Sequence, residues 1–150
     1  MLVKEQPTTF SPRPKSFVAL MEMYEINYMQ LRLLCGDVRN LPAETVSRVE
    51  RCIPVAVRMI DNSAHTSTVL LTYLFSEKNG EQQTSRPDML IRIYHDSRQA
   101  EVISHRCRLS DEPVQYWGKE LDTMLLCRWR MNRFLYKWVS YLRRQGHGFS

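Results

Sequence analysis

The chain has 150 residues, 43% of them hydrophobic and 25% charged, which is enough apolar matter for one domain with its own core. Those figures exclude a disordered chain, a collagen-like repeat and a disulfide-dense miniprotein. The net charge of +5 sits in one place. Thr123–Ser150 holds six cations (Arg128, Arg130, Arg133, Lys137, Arg143, Arg144) and no acid, leaving fifteen cations against sixteen acids in the first 122 residues. An acidic partner therefore suits that terminal segment: nucleic acid, an anionic lipid surface or an acidic protein face.

In chain order, residues 1–14 carry three prolines and little periodicity, and read as a flexible N-terminal arm ahead of a single domain over 15–150. The first fifteen residues, MLVKEQPTTFSPRPK, lack the continuous apolar core of a signal peptide. From Ser16 to Cys35 the spacing of Phe17, Leu20, Tyr24, Asn27, Tyr28, Leu31 and Leu34 predicts a helix closed by Gly36. A second, narrower apolar stripe, Ile26, Met29 and Leu33, either packs under the arm or meets a protein partner or a second copy.

Between Thr45 and Cys107 the period becomes two. Val55–Ile60, Val69–Phe75, Met89–Asp96 and Gln99–Arg106 predict strands, with Thr45–Arg51 a fifth that ends near Pro54. Asp61-Asn62-Ser63 and Lys78-Asn79-Gly80 supply turns. A two-residue turn at Ser97-Arg98 would set Ile93 opposite Val102 and Tyr94 opposite Glu101, with Arg92 diagonal to Glu101. From Lys119 to Gln145 a long helix buries Leu121, Met124, Leu125, Met131, Leu135, Trp138, Val139 and Leu142, with Trp129 nearer its rim. The fold class is α+β: an N-terminal helix, a four- or five-stranded antiparallel meander and a long C-terminal helix, both helices on one sheet face.

No phosphate-binding glycine loop, GxSxG elbow or HExxH pair is present, so no catalytic residue and no cofactor are expected. Cys35, Cys52, Cys107 and Cys127 form no CxxC pair and have no histidine at ligand spacing, which points to no metal and to a reduced, cytoplasmic chain. No run reaches the roughly 18 apolar residues of a membrane span. Three groups of side chains stand out. Arg92, Tyr94, His95, Asp96 and Glu101 cluster on the hairpin, either as a small-anion site with an acid–base pair or as turn and sheet-face pairing. Period two counts against convergence, because Arg92 and Tyr94 should face away from His95. Asn27, Arg128 and Asn132 interrupt apolar helix faces and need partners, either each other or a ligand in a pocket. Arg130, Arg133, Lys137 and Arg144 form a basic face near Trp129, Tyr136 and Tyr141, a pattern that suits nucleic acid.

The blocks MEMYEINYMQLRLL (21–34), MLIRIYHDSRQAEV (89–102) and MNRFLYKWVSYLRRQGH (131–147) resemble the YqiB-like family of proteobacterial proteins, a domain of unknown function. The hairpin cluster matches that pattern, whereas Lys78–Asp88 and Leu109–Gly118 match it poorly. The resemblance implies a small single-domain cytoplasmic bacterial protein and brings no activity, cofactor or catalytic residue. The preferred expectation is thus a non-enzymatic interaction or accessory protein, the alternative a nucleic-acid-binding module.

Overall fold

The computed structural model describes residues 16–76, 83–103 and 117–149. The expected N-terminal arm, the Lys78–Gly80 turn, the run beyond Ile103, Cys107 and the Leu121 side chain lie outside the described residues. Helix α1 spans Phe17–Cys35. Ser16 starts it by accepting the Ala19 N–H at 3.2 Å, satisfying one of the donors a helix leaves open. Gly36 ends it at φ 68°, in the left-handed region that a side chain disfavours.

Five strands follow among the described residues: β1 Glu44–Ser47, β2 Val55–Asn62, β3 Thr66–Ser76, β4 Gln83–Tyr94 and β5 Gln99–Val102. They form one antiparallel sheet in the order β1-β2-β3-β4-β5, the expected meander. Strand β4 begins six residues before the expected Met89. Its register against β3 breaks between Thr72 and Leu74, so Arg86 and Pro87 fall at a bulge, where a residue without an N–H costs the ladder least. Helix α2 spans Trp117–Gln145.

One face of the sheet presents Val55, Val57, Val69, Leu71, Ile91, Ile93, Ala100 and Val102 to both helices. Leu31 and Leu34 of α1, with Leu135, Trp138, Val139 and Leu142 of α2, complete that core. Each fully buried aliphatic side chain there contributes about 1.5–3 kcal/mol. Residues after α2 return to the core. Gly146 takes φ 102°, the Phe149 N–H donates to the Leu34 carbonyl at 2.9 Å, and the Phe149 ring is buried. Ser47 holds this tail, standing 2.9 Å from His147 Nδ1 and accepting the Gly148 N–H at 3.2 Å.

Three expectations need correction. The β4–β5 connection is the four-residue loop His95–Arg98, so Arg92 is opposite Glu101 and Ile93 is opposite Ala100. A two-residue hairpin turn asks for φ > 0 at both central positions or for glycine, which Ser97-Arg98 does not offer; here Arg98 alone takes φ 56°. The slip is two residues, so each side chain keeps its face. Trp129 is not at the rim: it is 6% exposed against 5% for Trp138, packed with Ala19 and Met23 of α1 in a second small core. The third concerns the cysteines. Cys127 is disulfide-bonded while Cys35 and Cys52 are free, so the chain is not fully reduced.

Candidate functional site

The hairpin residues divide between the two faces of the sheet. Arg92 and Tyr94 line an open concavity of about 530 Å³ with Thr66, Thr68 and Leu90, on the face turned from the core. Tyr94 donates its hydroxyl to Glu101 Oε1 at 2.5 Å, a short bond of the kind a charged acceptor makes. The other Glu101 oxygen stands 3.8 Å from Arg128 on α2, an ion pair that sequence spacing did not suggest. Tyr24 of α1 joins them: burial first, then the Glu101 charge, push its hydroxyl up to about 12, while Arg128 acts the other way. Glu101 thus ties β4, β5 and α2 together beside α1.

His95 faces the opposite way, into a small cleft beside Tyr28, Arg32, Asp37 and Val38. Its Nε2 lies 2.7 Å from the hydroxyl of the buried Ser67, and that hydroxyl donates to Asn62 Oδ1 at 2.8 Å. A serine has one proton to give. Ser67 gives it to Asn62 and therefore accepts from His95 Nε2–H. That direction is the reverse of a nucleophile–base dyad, in which the serine donates to the imidazole. Asp96 does not orient His95 either, since its carboxylate meets His65 Nδ1 at 2.9 Å with both groups exposed. Burial, followed by the Arg39 charge, lowers the His95 pKa. Beside it, Arg39 grips Asp37 through two bonds of 2.9 and 2.8 Å and holds that carboxyl at about 2. Arg92, His95 and Asp96 therefore do not converge.

Asn27 and Asn132 do come together, whereas Arg128 joins them only through its backbone carbonyl and turns its side chain to Glu101. Asn27 Nδ2 donates to the Asn132 carbonyl at 2.9 Å, and Asn132 Nδ2 donates to the Arg128 carbonyl at 2.8 Å. The Val102 N–H on the edge strand donates to Asn132 Oδ1 at 2.9 Å. Both asparagines are completely buried. The set joins α1, α2 and β5 rather than opening a pocket among these atoms, and it satisfies an edge amide that would otherwise be buried without an acceptor. Ser67, Tyr24 and the Ser47–His147 pair escaped sequence reasoning. Ser67 meets His95 across 28 residues and Ser47 meets His147 across 100, and no spacing rule reaches that far.

The helix layer has an outer face as well. Ile26, Met29 and Leu33 are 37%, 62% and 61% exposed, and Val18 shares their side of α1. On α2, Arg130, Arg133, Lys137 and Arg144 are all exposed, as are Phe134 and Tyr141, whereas Tyr136 packs against the second core. No helix among the described residues is long and apolar enough to cross a membrane, and no group of three or more potential metal ligands occurs among them.

These features define an α+β helix–meander–helix protein whose polar clusters join its own elements and whose helix layer carries an uncovered apolar stripe. The chain belongs to the family described as "Protein of unknown function (DUF1249)", whose family model matches residues 30–148. It is similar to the uncharacterized protein YqiB of Escherichia coli K12, 27% identical over 131 residues that cover 87% of this chain and 90% of that one. The YqiB proteins of E. coli O157:H7 and of E. coli O6:H1 are similar to it by the same figures. No solved structure matches.

Proposed function

We propose that this protein is a non-enzymatic interaction or accessory protein. The observation that carries this reading is the α1 stripe of Ile26, Met29 and Leu33, three large apolar side chains one turn apart that the described core leaves uncovered. The hairpin geometry supports it from the other side, because Arg92, His95 and Asp96 point to separate places rather than to one concavity. A cytoplasmic setting is part of the proposal.

The test is affinity purification from cells that express the protein, with and without nuclease, using wild type and a Met29→Glu/Leu33→Glu variant. The expected result is a protein that co-purifies in both nuclease conditions and is lost with the variant. No nuclease-resistant partner, or one indifferent to the variant, overturns the reading. The exposed Arg130, Arg133, Lys137 and Arg144 beside Tyr141 favour a second reading, nucleic-acid binding by α2. It requires association with random RNA or DNA at low salt that falls steeply as salt rises, and no binding at low salt ends it.

A further inference from the structure

We infer that the outer face of the helix layer is one composite docking surface, and that its occupant is an acidic amphipathic helix of another protein. This rests on the interaction reading above and names the chemistry of the partner. The two helices lie side by side: Ala19 and Met23 of α1 meet Trp129 of α2, Asn27 meets Asn132, and Gln30 meets Arg143. That pairing leaves the apolar stripe of α1 and the cations of α2 exposed along neighbouring helices. Arg143 marks the seam, because its Nη1 donates to Gln30 Oε1 at 3.1 Å, and Gln30 is the residue after Met29.

An amphipathic helix with apolar residues at spacings of three and four fits the stripe, since Ile26, Met29 and Leu33 repeat with that spacing. Carboxylates on the flank of such a helix would then lie over Arg130, Arg133 and Lys137. The exposed cations of α2 fix which flank is acidic, since the far side of the α1 stripe carries Glu25 beside Arg32 and offers no net positive charge. A second copy suits the surface less well where a two-fold lays each α2 over its mate, because the exposed cations of both copies then meet. Nucleic acid satisfies the cations and leaves the stripe uncovered.

The full chain carrying p-benzoylphenylalanine in place of Met29 tests this, by irradiation in cells and mass spectrometry of the cross-linked segment. The expected segment has apolar residues every three or four positions and Asp or Glu along one flank. Arg130→Glu, Arg133→Glu and Lys137→Glu together should lower the cross-link yield on the order of tenfold, with an unchanged circular dichroism spectrum. A cross-linked protein segment without acids, or one indifferent to the charge reversals, overturns this inference and leaves the interaction reading standing. Cross-links to a second copy, to lipid or to nucleic acid overturn the partner proposed here. No cross-link at all overturns both.

Discussion

Asn132 holds more of the molecule together than its neighbours do. Its side chain accepts from the Val102 amide and donates to the Arg128 carbonyl, while its own carbonyl receives Asn27. Asn132→Ala strands the buried Val102 N–H and should cost about 2–3 kcal/mol. Asn27→Ala removes one donor from a carbonyl that is already within a helix, and Asn27 Oδ1 has no partner among the protein atoms. It should cost about 1 kcal/mol. Urea unfolding of the two variants checks the order, and equal losses would show that the edge amide finds another acceptor. The need for partners at both positions was legible in the sequence, because polar residues stood within apolar helix faces. Which atoms met was not, because that depends on how α1, α2 and β5 cross.

The limits of α1 and its closing glycine were legible in the spacing, but its phase only in part: Phe17, expected on the buried face, is 61% exposed, and Ala19 and Met23 meet α2. α2 was harder to read, because it packs against the sheet through Leu135, Val139 and Leu142 and against α1 through Trp129. A wheel drawn for one contact placed Trp129 at the rim. Trp138→Ala and Trp129→Ala should each cost about 3–5 kcal/mol, a large share of the roughly 5–15 kcal/mol that such a domain has. A neutral Trp129→Ala in thermal unfolding would restore the one-sided helix. The β4–β5 hairpin failed for a different reason. Its loop places Arg98 in a left-handed conformation that nothing in Asp96-Ser97-Arg98 announces, so turn length was not readable although strand face was.

For the molecule as a whole, pH and surface give the sharpest tests. Burial is the leading cause that lowers the pKa of both His95 and His147 in the folded chain. The unfolded chain then binds more protons near pH 6, so stability rises with pH there. It should be fully present above about pH 6.5 and decline as the solution is acidified through the lowered folded values. Asp37, at about 2, titrates below that window. Melting temperatures between pH 7.5 and 5 should fall, and His147→Gln should flatten the slope; a rise toward pH 5 would contradict the assignment. The claim that most needs testing is that the α1 stripe is free in the isolated chain and covered in the cell. Methionine oxidation by dilute peroxide measures it directly, with the buried Met23 on the same helix as an internal control. In purified protein Met29 should oxidise well ahead of Met23, and in intact cells it should be protected toward the Met23 rate. Equal oxidation of Met29 in both settings, or protection already present in the purified chain, would contradict the account.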